Sequence, residues 1–427
     1  MSQRILFATY GSLGDLHPYI ALALALKQRG HQPVIASFGI HRAAVEAEGI
    51  AFAALRPEIE QFGGVSDVVR RLFLSHDGPA YMVKEIFMPH IRASYEDLDR
   101  AAAHCDLIVT HPLSFAGPLI AQKRGLPWVS SILSPMSLMS CIEPPLIGPA
   151  PWMKSLRKLG VTPYRMVFNL ARTIGRRWEQ PLHALRAELN LPPAPPAQFE
   201  GQFSPLLNLA LFSPLLATPQ IDWPVNTVLC GFPHYDGAKA TPELLARLQR
   251  FLDAGEPPLV FGLGSSAVMI AGDFWHHAIA AAQTLGRRAI LLTGATPSLP
   301  ENLPPTIAAF EYLPYSAAFP HACAVIHQAG IGTFAQALAA GRPQLIVPVA
   351  FDQPDNAERA TKLGVARALP FRKVTPARLS GELKQLLGDN RYACNASEVA
   401  AKIRQEDAML IVCERLEALL TQRGDTT

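Results

Sequence analysis

Cysteine is scarce and scattered in this 427-residue chain. Cys105, Cys141, Cys230, Cys323, Cys394 and Cys413 include no C-x-x-C pair. That argues against a disulfide scaffold or a zinc site and fits reduced thiols, so a cytoplasmic protein is expected. Charge is also low: 17% of residues, with a net charge of +3. A nucleic-acid partner is therefore not expected, and no dense Lys/Arg patch interleaved with aromatics argues otherwise. The longest apolar runs, such as Tyr19–Leu26, fall well short of the roughly 20 residues that span a bilayer. No transmembrane segment is expected, although contact with a membrane surface stays open. A strand pattern begins at Arg4, which leaves no signal peptide in this reading. Several enzyme signatures are missing as well. No G-x-G-x-x-G follows the first strand, and the second strand ends at Ser37-Phe38 with no acidic residue to hold a ribose. There is no P-loop lysine and no G-x-S-x-G elbow. These absences set aside a Rossmann dehydrogenase, a P-loop NTPase and a serine hydrolase of the elbow type.

What is present is a long alternation of apolar strands and helices, at 49% hydrophobic content. The pattern predicts α/β architecture with parallel sheets, and the length predicts two domains. The first half opens with strand Arg4–Thr9, the turn Tyr10–Asp15 and a helix from about Pro18 to Arg29. Further strands are expected at Pro33–Ser37, Leu107–Thr110 and Trp128–Ser131. Between Pro144 and Trp178, apolar residues mix with Lys154, Arg157, Lys158, Arg165, Arg172, Arg176 and Arg177. This reads either as an insert that builds a pocket or as helices covering the core. Residues 190–225 are proline-rich and mark the end of the first domain. Strand–glycine turn–helix units then restart at Leu259–Phe261, Ala289–Leu292, Ile307–Glu311, Ala324–Ile326 and Leu345–Val347. The domains expected are 1–215, a connector at 216–240, a second domain at 241–395, and 396–427 returning to the first. One long helix is expected from roughly Asn395 to Gln422, with an apolar stripe at Leu410, Ile411, Leu416, Leu419 and Leu420.

The stretch His327–Asn356 carries the densest chemistry. His327 ends a strand, Gly330 and Gly332 form a turn, and Thr333 stands where a helix begins. A glycine turn opening a helix is an anion site, because free N–H groups and the helix dipole point at it. Asp352 and Gln353 follow the next strand, and a carboxylate beside an amide suits several hydroxyls. Phosphate plus polyol reads as a nucleotide sugar.

His327-x-x-Gly330-x-Gly332-Thr333, Gly341-x-Pro343, Pro348 and Asp352-Gln353-x-x-Asn356 together resemble the C-terminal signature of the UDP-glycosyltransferase superfamily. The likeness is to the bacterial branch of rhamnosyltransferases, sterol glucosyltransferases and antibiotic glycosyltransferases. Gly11-Ser12-Leu13-Gly14-Asp15 with Pro18, and Gly262-Leu263-Gly264-Ser265-Ser266, resemble that branch's other glycine turns. The resemblance spans residues 4 to 369 in order. It implies the GT-B fold, two Rossmann-like domains facing across a cleft, with the acceptor held by the first and the nucleotide sugar by the second. It implies inverting, metal-independent transfer without a cofactor. By carry-over the donor contacts are Ser12, Gly14, Ser265, Ser266, Tyr312, Leu313, His327, Gly330, Ile331, Gly332, Thr333, Asp352 and Gln353. Tyr312 would stack on the base. Asp15 would be the catalytic base, with His111 beside it.

Each assignment has a plainer reading. Asp15 can cap the helix near Pro18. His111 can simply line the acceptor pocket, and His17 a pocket wall or the helix surface. Tyr312 can be a core residue at a strand end, and Asp352 can belong to a turn after Pro348. The function expected is transfer of glucose or rhamnose from a UDP- or dTDP-sugar to a hydroxyl of a hydrophobic acceptor, phenolic, terpenoid or lipid. The alternatives are a nucleotide-sugar-binding helper without catalysis and a GT-B sugar-nucleotide epimerase.

Overall fold

A computed structural model describes residues 2–237, 239–295 and 299–424, the last three by backbone alone. The chain divides into two compact units: residues 1–235 with 407–427, and residues 236–406.

The first unit holds a seven-stranded sheet, and every pairing in it is parallel. Its strands are β1 (Arg4–Ala8), β2 (Gln32–Ser37), β3 (Ala51–Ala54), β4 (Leu107–Thr110), β5 (Trp128–Ile132), β6 (Leu207–Ala210) and β7 (Thr227–Leu229). Their order is β3-β2-β1-β4-β5-β6-β7. The central strands β4 and β5 are buried along their whole length and β1 from Ile5 on, as a parallel sheet covered on both faces requires. Sequence order reverses between β1 and β4. At such a switch point the loops leaving two neighbouring strands part in opposite directions and open a crevice at the carboxyl end.

The second unit repeats the plan with six strands, β8 (Leu259–Gly262), β9 (Ala289–Leu292), β10 (Ile307–Phe310), β11 (Ala324–His327), β12 (Gln344–Ile346) and β13 (Ala366–Ala368). Their order is β10-β9-β8-β11-β12-β13, so the switch point lies between β8 and β11.

Three readings of the sequence need correction. The first helix runs Leu13–Gln28, five residues earlier than the pattern around Pro18 suggests. Pro18 sits inside it; proline favours the first helical turn, which drew the expected start too far along. The proline-rich stretch is not a plain connector. It contains β6, and β7 lies within the expected 216–240 linker, so the first unit continues to Tyr235. The long helix expected from Asn395 is two helices, Arg391–Ile403 and Ala408–Gly424. Asp407 opens the second of them, its side chain accepting from Leu410 N–H at 2.9 Å. Ala396, Val399, Ala400 and Ile403 bury one face in the second unit. In the last helix Ala408, Val412, Cys413 and Leu416 are buried, whereas Leu410 is exposed. That last helix belongs to the first unit, where Glu417 meets Arg29 at 2.7 Å.

Candidate functional site

In the first unit the chemistry gathers at the switch point. Asp15 follows β1 and His111 follows β4. Because those strands pair Ala8 with Thr110, the two loops emerge side by side. His111 Nε2 lies 3.4 Å from Asp15 Oδ1. The ring is nearly buried, while a third of the carboxylate (32%) remains open to solvent. His111 Nδ1 accepts the Leu113 backbone N–H at 3.1 Å, which leaves the proton on Nε2, facing the carboxylate. Tyr19 packs its ring edge against His111 and bonds Ser131 through its hydroxyl.

Asp15 also serves the helix. Ser12 is the N-cap, accepting from Gly14 N–H at 3.2 Å, and Asp15 Oδ2 accepts the Ser12 N–H at 2.7 Å. This is a capping box with Asp15 as its third helical residue, not its cap. Gly11 is needed for it. Its φ is +118°, and a Cβ there would fall 2.3 Å from Asp15 Oδ2. Burial pushes the Asp15 carboxyl up, but His111 and the Ser12 donors outweigh that and hold it below the ordinary value. The group is therefore an anion at neutral pH, with one oxygen directed to the helix and the other to the ring. His17 packs edge-to-face against Tyr235, 5.1 Å between centroids.

The second unit builds its site between β8 and β11. The helix Ile331–Ala340 begins just past Gly330, whose lack of a side chain leaves the first turn with no side-chain cap. Ile331, Gly332 and Thr333 are its first three residues. Across from it, Gly264, Ser265 and Ser266 follow β8. Gln328 fills the space between these turns. A Cβ on Gly264 would lie 2.1 Å from Gln328 Nε2, and one on Gly330 would lie 3.0 Å from it. Gln328 Nε2 donates weakly to Thr333 Oγ1 at 3.4 Å, and its Oε1 is buried without a hydrogen-bond partner. Gln328 was not among the residues expected from the motif, where it stands as an unspecified position. Only its place after the strand end hinted at a role.

His327 sits differently from expectation. It is fully buried, its Nε2 lies 3.0 Å from Gln344 Oε1, and its Nδ1 accepts the Ala329 N–H at 3.1 Å. Burial pushes its pKa down to about 4, with the Gln344 bond opposing. Both ring nitrogens are engaged, so His327 braces the turn instead of presenting itself to a phosphate.

Ala329 and Phe351 both take left-handed φ, at 64° and 56°. A non-glycine residue in that region is strained and persists where its surroundings fix it. Asn356 supplies that restraint, donating to the Ala329 carbonyl at 2.9 Å and to Asp352 Oδ2 at 2.8 Å. Asp352 is half-buried at the start of the helix Gln353–Lys362. Gln353 is buried, and its Oε1 accepts from Val349 and Ala350 N–H at 2.8 and 3.2 Å. Its amide oxygen thus holds the loop rather than facing a sugar. Tyr312 stands past β10, 40% exposed as a residue, with its hydroxyl bonded to the Asp236 carbonyl at 2.6 Å, while Leu313 beside it is buried. Tyr312 is no core residue.

Asp97 and Asp99, on the helix Ile91–Ala102, are each engaged by arginines. Asp97 accepts from Arg56 at 2.8 Å and from Arg100, and Asp99 from Arg124 at 2.6 Å. Among the described residues, no helix is long and apolar enough to cross a membrane.

Residues 276–419 match the family described as erythromycin biosynthesis protein CIII-like, C-terminal domain. Over 434 residues, covering 97% of both chains, the protein is 29% identical to O-mycaminosyltylonolide 6-deoxyallosyltransferase of Streptomyces fradiae. The fold matches the solved spinosyn forosaminyltransferase SpnP with a TM-score of 0.70 at 19% identity, covering 99% of this chain and 100% of that one. It matches glycosyltransferase VinC in complex with DTDP with a TM-score of 0.68 at 20% identity, covering 98% and 100%.

Proposed function

We propose that this chain, a glycosyltransferase of GT-B architecture by sequence and by fold, moves glucose or rhamnose from a UDP- or dTDP-sugar to a hydroxyl of a hydrophobic small molecule, with inversion. The observation that carries the reading is the Asp15–His111 pair at the switch point of the first sheet. The acceptor hydroxyl gives its proton to the Asp15 carboxylate as its oxygen bonds the anomeric carbon. The bond from that carbon to the diphosphate breaks, and the nucleoside diphosphate leaves with the electron pair. A carboxylate of low pKa is a weak base, but the hydroxyl turns strongly acidic as its oxygen bonds carbon, so the proton transfers late. The His111 Nε2–H keeps the carboxylate charged and oriented.

In the second unit, the first-turn N–H groups after Gly330, the Gln328 amide and Ser265 meet the charge growing on the leaving diphosphate. This assigns electrostatic stabilisation to the chain's own donors, with no metal in the step. Tyr312 offers an aromatic face to the base, and Asp352 accepts from the sugar hydroxyls. The names of the similar proteins support a natural-product acceptor; the narrower choice of a phenolic, terpenoid or lipid acceptor is part of the proposal.

A thermal-shift screen across UDP- and dTDP-sugars tests the reading, followed by mass spectrometry with a phenol and a hydroxy fatty acid. The expected result is stabilisation by one donor and a glycosylated product from it. A donor that binds but is never consumed, with either acceptor, favours a non-catalytic helper. Absence of binding to every donor overturns the donor site itself.

A further inference from the structure

A surface in the first unit has no part in the chemistry above. Between Pro144 and Trp178 the sequence carries seven cations, Lys154, Arg157, Lys158, Arg165, Arg172, Arg176 and Arg177, and no Asp or Glu. The structure folds this stretch as a 3-10 segment, Pro151–Leu159, and a helix, Val161–Trp178. Their inner sides close on one another through Met153, Tyr164 and Phe168. The outer side is apolar where it should be polar. Met166, Leu170 and Ile174, spaced four apart and so stacked on one helix face, are 68%, 62% and 40% exposed. Trp152 and Leu159 on the preceding segment are 60% and 70% exposed. Of the sixteen large apolar side chains exposed among the described residues, five fall in this stretch.

Charge decides what such a face fits. On a helical projection Arg177 falls on the face of the apolar stripe at its C-terminal end, while Arg165 and Arg176 lie on the adjoining polar side, beyond Thr162, Asn169 and Thr173; all three arginines are exposed. Arg172 shares the side of Arg165 and Arg176, but its charge is engaged by Glu200 at 2.7 Å and its guanidinium lies over the Phe199 ring. An exposed apolar stripe with a cation at its end and further cations on the adjoining polar side, on a helix that is not apolar enough to span, is the pattern of a segment that lies in a bilayer interface. The apolar side chains enter the acyl boundary, while the long basic side chains reach back to anionic headgroups.

We propose that the outer face of the helix Val161–Trp178, with Trp152 and Leu159, docks this protein on an anionic lipid surface. The attachment is peripheral and reversible. It rests on this unit alone and does not depend on the sugar-transfer reading.

Co-sedimentation of the full chain with vesicles tests it, comparing phosphatidylcholine alone with an equimolar mixture of phosphatidylcholine and phosphatidylglycerol. The protein is expected to bind the mixture, not the neutral vesicles, and to be released as salt rises. Two independent variants are expected to lose about ten-fold or more in affinity: Met166→Ser with Leu170→Ser, and Arg165→Glu with Arg176→Glu. All four residues are exposed, so thermal unfolding should be unchanged, and that is the control for folding. No binding to the mixture, equal binding to neutral vesicles, or wild-type binding by both variants overturns the proposal. So does self-association that the serine variant abolishes in the absence of vesicle binding, which would make a second copy the occupant.

Discussion

His111 holds Asp15 from one side only: its Nε2 faces Oδ1, while Oδ2 belongs to the Ser12 backbone. Two jobs, helix capping and proton transfer, therefore fall on separate oxygens of one carboxylate. They can be separated by mutation.

Ser12→Ala removes the acceptor for Gly14 N–H and the hydroxyl that donates to Asp15 Oδ2 at 3.1 Å, while the Ser12 backbone N–H and His111 still hold the carboxylate. The expected cost is about 1 kcal/mol, typical of a lost N-cap. For a unit of this size that is roughly 2–4 °C in its unfolding temperature. Turnover should change little. Scanning calorimetry beside a rate assay checks both, and a large loss of rate with unchanged stability would contradict the division of labour.

His111→Gln takes away the ring that keeps the Asp15 carboxyl low. The turnover rate is expected to fall roughly ten- to hundred-fold, with a smaller change in KM. The sign on pH follows from the interaction. Losing the ring raises the carboxyl pKa, so the acid limb of the rate profile should move to higher pH. A profile that scales down without shifting would leave His111 a pocket wall only.

Gln328 should matter to the nucleotide. Gln328→Ala is expected to weaken UDP or dTDP binding by roughly ten-fold, the scale of one hydrogen bond to a charged group. Gly264→Ala should act through the same amide, since its Cβ would meet Gln328 Nε2 at 2.1 Å. Isothermal titration decides it; unchanged affinity in both variants removes Gln328 from the site.

His327 predicts acid sensitivity. Its pKa is near 4 in the fold against an ordinary 6.5. Between those values the unfolded chain binds the proton and the folded one does not, so stability rises with pH. The full contribution is present above about pH 6.5 and is lost as pH falls toward 4, roughly 3 kcal/mol in all. Thermal melts of wild type and His327→Gln across pH 4–7 should converge as the pH drops. Parallel curves would contradict the buried neutral ring.

Much of this was legible in the sequence. Apolar runs such as Ile5–Ala8 and Val325–Ile326 are fully buried strands, and runs of that kind announce a parallel sheet on their own. Glycine turns placed at strand ends located both sites. What the pattern missed depends on three dimensions. The short strands β3, β6, β7 and β13 carry little periodicity and are defined by their neighbours. Gln328 has no local signature; its importance comes from two distant glycines that make room for it. His327 and Gln353 are polar residues in a binding motif, yet packing turned both inward to support backbone. Asp15 looked like either a cap or a base, and only the geometry shows that capping leaves one oxygen available.

The most direct test is the turnover of Asp15→Asn measured against its donor affinity. Asparagine retains an oxygen for the Ser12 N–H, so the helix cap survives while the basic carboxylate is lost. The account predicts wild-type donor binding with sugar transfer down by about 100-fold or more, and a lower unfolding temperature, because a neutral amide replaces the carboxylate facing His111 Nε2–H. Near-normal transfer by Asp15→Asn would contradict it.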